Sequence, residues 1–385
     1  MRLIFASDSF KGSLTSENTI RLLTQAAKKV FGECECVGVP LADGGEGTVD
    51  ALIASGNGKK VFTRVHGPLG EELEAGYGVL NTGCAVIEMS AASGLTLVPA
   101  EKRDPRHTTS LGTGELILHA LDAGYRDIYI AIGGSATNDG GMGCVSALGA
   151  RFLDSEGRAL SGCGRELINV SHIDIARLDP RIKKTRVTVM CDVTNPLCGE
   201  HGATMTFGRQ KGATDVSAQQ LEAGMQNYRD VIKREFGADC DSIPGAGAAG
   251  GLGAALSVFL HGNMRSGIET VLKLNGFDQL LDAADLVVTG EGCTDSQSCF
   301  GKVMQGVGMH ARAKGVPVLG LSGSLGAGAM DICMYGVSSL MSTVNAPMPL
   351  MEAMSRAEEL YLQAAERMFR FVRVGMEMKN GRLSV

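Results

Sequence analysis

Apolar positions along this chain follow two alternating rhythms. Residues 3–6 form a short apolar run. Ser16 then opens a segment in which Ile20, Leu23, Ala27 and Val30 share one helical face, with Ser16 placed as its N-cap. Residues 36–39 read as a second strand and residues 48–54 as a second helix. Near the other end, residues 286–289, 316–321 and 337–342 read as buried strands, with helices over about 301–314 and 349–371. Strand–helix alternation of this kind predicts a parallel sheet covered by helices on both faces. The middle is different. Residues 61–65, 77–80 and 85–90 are closely spaced strands with turn signals such as His66-Gly67-Pro68. Helical patterns follow over 115–123, 141–150 and 217–236. The predicted fold class is α/β with two domains. A parallel flavodoxin/Rossmann-like sheet domain is built from residues 1–81 and 267–385. An α/β domain, residues 82–266, is inserted into it. The active site is expected in the cleft between them.

Composition supports this outline. A chain of 385 residues is long for one domain, and 44% hydrophobic content supplies large cores. Fifty-three glycines without a collagen period imply many tight loops. A net charge of −6 and the lack of a Lys/Arg run argue against a nucleic-acid surface. The most apolar stretch, residues 246–260, is too short and glycine-rich to span a bilayer. The first apolar run is too brief for a signal peptide. These features point to the cytoplasm. The 11 cysteines are scattered and expected to be reduced. Cys34 and Cys36 are too close for a zinc clip, and His107, His172 and His201 stand apart.

The most telling stretch begins at Ile130. An apolar β-branched run ends in Gly133-Gly134-Ser135-Ala136-Thr137-Asn138-Asp139-Gly140-Gly141, and a helix pattern follows at once. Glycines let backbone N–H groups approach an anion, and a helix N-terminus favours negative charge. The added carboxylate of Asp139 makes sense beside a divalent cation or a substrate hydroxyl. Together these features suggest phosphoryl transfer to an alcohol.

Three predicted strands also run into acid-bearing loops: residues 7–13 with Asp8, Ser9 and Lys11, residues 40–48 with Asp43, Gly44, Gly45 and Glu46, and residues 290–295 with Glu291 and Asp295. Ligands of open parallel sheets sit at the carboxyl ends of the strands. Such loops suit a cation and an anionic substrate, with Lys11 and Lys302 as the cations facing the mouth. Asp192 ends another strand and is a candidate base. Arg209 and Lys211 add two basic residues in a loop, read as ordinary surface charge. Gly245-Ala246-Gly247-Ala248-Ala249-Gly250 matches a dinucleotide-binding pattern, but residues 238–244 before it are no buried strand. No P-loop or protein-kinase motif occurs.

Read together, Asp8 to Ser13, Ala42 to Thr48, Gly133 to Gly141, Cys191 to Leu197, Pro244 to Gly253 and Gly290-Glu291-Gly292 resemble the second class of bacterial glycerate kinases, over nearly the whole chain. The resemblance implies phosphorylation of D-glycerate by ATP with Mg²⁺, usually at the 2-hydroxyl. With the loop readings above, it implies a catalytic set of Asp192, Asp139 and Lys11. Asp192 is the first choice of base and Asp139 its rival. The expected substrate- and nucleotide-binding set is Asp8, Ser9, Gly44, Gly45, Gly133, Gly134, Ser135, Asn138, Asn195 and Lys302. The pool for Mg²⁺ is Asp43, Glu46, Glu291 and Asp295, of which one or two suffice. Partners are expected to be D-glycerate and ATP, without nucleic acid or membrane and with a homo-oligomer left open. The sequence departs from the family at Cys293, where Arg is usual, at Ser298, where Thr is usual, and at Leu111, where an aromatic residue is frequent. Cys293 motivates an alternative: a non-catalytic small-molecule-binding regulatory protein that keeps the kinase cleft. A dehydrogenase of small hydroxy acids would rest on the glycine decoy alone.

Overall fold

The computed structural model describes residues 1–379. Contacts divide the chain into two units. The first comprises Met1–Asp43, residues 54–56 and the chain from Ile268 onward. Its sheet has five parallel strands in the order Ser339–Ser342, Val318–Ser322, Leu286–Thr289, Arg2–Phe5, Glu35–Gly38. Numbered along the unit this is 2-1-3-4-5, the flavodoxin-like order. Its switch point lies where the first strand meets the third. There Leu3 faces Leu286 and Phe5 faces Val288.

The helix Ser16–Phe31 follows the first strand. Thr15, rather than the expected Ser16, is its N-cap, accepting from the Asn18 N–H at 3.1 Å. Ser16 instead donates to the Ser7 carbonyl at 2.8 Å and accepts from the Leu41 N–H at 3.2 Å. Its hydroxyl thus fixes the loop leaving the first strand. Leu22, Leu23, Ala26, Ala27 and Val30 face inward and share a core with Tyr361, Ala364, Ala365 and Phe369 of the last helix, Ala357–Lys379. Each large aliphatic side chain buried there contributes roughly 1.5–3 kcal/mol.

The second unit comprises Gly44–Ile53 and Asn57–Gly267. Its six-stranded sheet runs Asn263–Arg265, Arg186–Met190, Asp127–Ala131, Ala85–Glu88, Glu72–Leu80, Gly58–His66. The first four strands are parallel and the last two form an antiparallel hairpin. This corrects the expected boundary after residue 81. The hairpin's inner strand pairs onward with Ala85–Glu88 and buries Ala75, Tyr77 and Val79 in the second unit's core, so the hairpin belongs to that unit and the chain crosses over at Gly44. Among the described residues no helix is long and apolar enough to cross a membrane, and all eleven cysteines are unpaired.

One ionic contact sets a pH dependence. His310 lies between Asp278, at 2.6 Å from Nδ1, and Glu269, at 2.9 Å from Nε2. Burial opposes its charge, but the two carboxylates outweigh that and raise its pKa. A raised folded-state pKa means stability fully present below the unfolded value of about 6.5 and lost as pH rises through the folded value. Wild type is therefore expected to melt above His310→Gln at pH 6, with the gap shrinking as pH rises. A gap that stays constant or widens from pH 6 to 9 contradicts this.

Candidate active site

At the carboxyl end of the switch point, the Asp8 N–H donates to the Gly290 carbonyl at 2.9 Å, joining the loops that leave the first and third strands. Gly290 is required by close approach: a Cβ there would lie 2.0 Å from the Leu321 carbonyl oxygen. These loops open a cavity of about 1020 Å³ whose lining comes wholly from the first unit. Asp8, Ser9, Lys11, Asp43, Glu291 and Lys302 all line it. The structure thus gathers in one place six residues that the sequence distributes over four segments.

The electrostatics of this mouth are strained in one direction. Burial, then Asp43 and Glu291, push the Asp8 carboxyl up to about 7, against the pull of the Ser9 N–H and Lys11. Because this exceeds the ordinary value of 3.8, ionising Asp8 costs stability as pH rises from there towards 7. Burial also raises the Glu291 carboxyl, although it accepts from Ser298 and Thr294. Carboxylates clustered in a partly buried mouth are what a divalent cation relieves. Lys302 is the N-cap residue of the helix Val303–Ala313 and its charge acts on Glu291. Lys11 is exposed at the rim. Cys293 also lines the cavity and is exposed.

One member of the expected cation pool makes a different contact. Asp295 accepts from the Gln297 N–H at 2.8 Å and caps the single turn Ser296–Cys299. It does not line the cavity. Glu46 is exposed in the second unit. Among the described residues no group of three or more metal-ligating side chains converges. Asp43 and Glu291, like Asp8, line the cavity.

In the second unit the two glycine loops pack backbone against backbone. A Cβ on Gly133 would lie 2.9 Å from the Gly45 Cα. Gly44, at φ +85°, lies against Gly267, whose Cα would be 2.9 Å from its Cβ. Gly134 and Ser135 are strapped to residues 93–95, through Leu95 N–H to Gly134 carbonyl at 2.8 Å and a bridge between Gly94 and Ser135. Asn138 is fully buried and donates to Thr204 Oγ1 at 3.1 Å.

Asp139, the rival candidate for the base, lies deep in the second unit. It is 0% exposed. One oxygen accepts from the Ser110 N–H at 2.8 Å, the Ser110 hydroxyl at 2.7 Å and the Gly143 N–H at 3.2 Å, and the other from the Gly141 N–H at 3.1 Å. Burial raises its pKa in spite of these four donors. A carboxylate so enclosed orders its loop. Asp192 is the opposite case. It is exposed at the carboxyl end of Arg186–Met190, and it accepts from the Gly267 N–H at 2.9 Å. Asn195 donates to the His201 carbonyl at 2.8 Å, shaping the same loop.

Lys211 is not surface charge. It is 2% exposed and donates to the Thr137 carbonyl at 2.7 Å. Burial pulls its pKa down to about 7, with Asp139 pulling the other way. The glycine decoy has a similar structural role: the Gly250 carbonyl accepts from the Gly140 N–H at 2.9 Å. Both hold the Asp139 loop from outside.

A family model described as the glycerate kinase family matches residues 3–373. Glycerate 2-kinase of Escherichia coli (strain K12) is 44% identical over 377 residues, covering 98% of this chain and 99% of that protein. Glycerate kinase of Halalkalibacterium halodurans is 43% identical over 364 residues, covering 94% and 96%. The crystal structure of a protein provisionally named glycerate kinase 2, from Salmonella typhimurium LT2, superposes with a TM-score of 0.88 at 42% identity, covering 98% of this chain and 99% of that one.

Proposed function

The chain belongs to the glycerate kinase family, and from that premise we propose that it transfers the γ-phosphoryl group of ATP to the 2-hydroxyl of D-glycerate, giving ADP and 2-phosphoglycerate. The observation that carries this reading is the mouth at the first unit's switch point, where Asp8, Asp43 and Glu291 meet Lys11 and Lys302. Phosphoryl transfer asks a protein for in-line positioning and charge neutralisation more than for covalent chemistry. Lys11 and Lys302, which both line the cavity, would neutralise phosphate oxygens. One or two of the Asp8, Asp43 and Glu291 carboxylates would hold Mg²⁺, which when bound screens the charge of the β- and γ-phosphates. The acceptor oxygen attacks the γ-phosphorus as the bond to the bridging β–γ oxygen breaks. The acceptor's proton passes to the Asp192 carboxylate, the exposed acid of the second unit's strand end. Cys293 replaces one expected cation, but both lysines and all three carboxylates of the mouth are present.

The test is ADP release from ATP. Release is expected to require both D-glycerate and Mg²⁺, and to stop when EDTA is added. Release independent of D-glycerate, or none at all, contradicts the reading.

A further inference from the structure

The polar mouth occupies one end of the first-unit cavity. Away from the mouth its lining includes the apolar side chains of Phe10, Leu14, Val344, Pro347, Met354 and Tyr361, with Ser13, Ser324, Ser342, Thr343 and Asn345 among them. Phe10 and Tyr361 form a fixed wall: they are 5% and 0% exposed and meet edge to face with ring centroids 5.3 Å apart. Met354 reaches the loop that carries Lys11. Its terminal methyl lies 2.9 Å from where a Cβ on Gly12 would stand. Met354 belongs to the short helix Leu350–Ser355, which has no buried residue and exposes Leu350 at 74% and Met351 at 76%. The segment leading into that helix is fixed at its start by the Thr343 N–H to the Ser322 carbonyl at 2.8 Å and the Val344 N–H to Ser342 Oγ at 3.2 Å.

The volume lies at the top of the range of about 300–1,000 Å³ usual for small-molecule sites. A phosphate chain or a small hydroxy acid would fill only the charged end. What suits the remainder is a flat, largely apolar group joined to an anion. Thioether and aromatic contacts favour a π-system there.

We propose that the apolar end of this cavity is the nucleobase subsite of the phosphoryl donor. The purine lies between Met354 and the Phe10–Tyr361 wall, and the triphosphate points to Lys11 and Lys302. This rests on ATP being the donor, as proposed above. Base and phosphates would meet different lining residues, so they are separable in their effects.

The experiment uses the full-length chain with Ala353→Trp, which fills the apolar end from the same short helix. Inorganic tripolyphosphate, a phosphate chain without a base, serves as the comparison inhibitor. The KM for ATP is expected to rise at least tenfold. The KM for D-glycerate and the inhibition constant of tripolyphosphate are expected to stay within twofold. Met354→Ala provides a second variant if Ala353→Trp does not fold: its KM for ATP is expected to rise at least threefold, with Met354→Leu recovering most of the loss. An unchanged KM for ATP in a folded variant overturns the subsite, as does tripolyphosphate weakening in parallel with ATP. Wild type that shows no ATP-dependent turnover overturns the donor reading and the subsite with it. Wild-type turnover with unaffected variants overturns the subsite alone.

Discussion

Asp192→Asn is expected to lower kcat by at least about a hundredfold while the KM for ATP stays within about twofold, since loss of a general base typically costs about 10²–10⁴ in rate. The substitution is nearly isosteric. Its amide oxygen still accepts from the Gly267 N–H that the carboxylate accepts from now, at 2.9 Å, so the loop keeps its anchor. What disappears is an exposed proton acceptor. Steady-state kinetics at saturating Mg²⁺, with a melting curve beside them, separate the two effects. A variant that folds and turns over near the wild-type rate removes Asp192 from the chemistry.

Asp139→Ala is expected to act on stability instead. Four donors converge on this carboxylate, and all are buried. Truncation leaves them without an acceptor, and each buried unsatisfied group costs about 1–3 kcal/mol. Partial relaxation keeps the sum below simple addition, so a loss of about 3 kcal/mol is a fair lower bound. For a unit of this size that corresponds to a fall of roughly 6–12 °C in melting temperature. Differential scanning calorimetry measures it. A variant that melts like wild type yet loses turnover by a hundredfold would return the role of base to Asp139.

These two aspartates show what the sequence makes legible and what it hides. Both end apolar runs, and both sit in loops with Gly or Asn close by. From spacing alone they are equivalent candidates. Two of Asp139's donors lie within four residues of it, but Ser110, which supplies the other two, is 29 residues away, and Gly267 is 75 from Asp192. Lys211 is hidden for the same reason, because the carbonyl that receives its ammonium is 74 residues away. Asp295 and Glu291 likewise look alike in an acid-bearing loop, but one caps a turn and the other lines the cavity.

The strand–helix rhythm of the first unit is readable chiefly because its inner strands, Arg2–Phe5, Leu286–Thr289 and Val318–Ser322, are mostly apolar runs, as expected for strands buried on both faces. The hairpin Gly58–His66 with Glu72–Leu80 was assigned to the wrong unit because its partner strand, not its own pattern, decides membership. The strand-end loops with Asp8, Lys11 and Glu291 were readable from glycine and acid placement. The apolar end of their cavity was not. Residues 343–354 carry no motif, and only the fold sets Met354 beside Gly12.

The most direct test of the central claim is phosphorus NMR of the product formed from ATP and D-glycerate. One new phosphomonoester resonance, matching 2-phosphoglycerate, is expected to appear in step with ADP. Inorganic phosphate in place of a phosphomonoester, or no consumption of ATP, would contradict it.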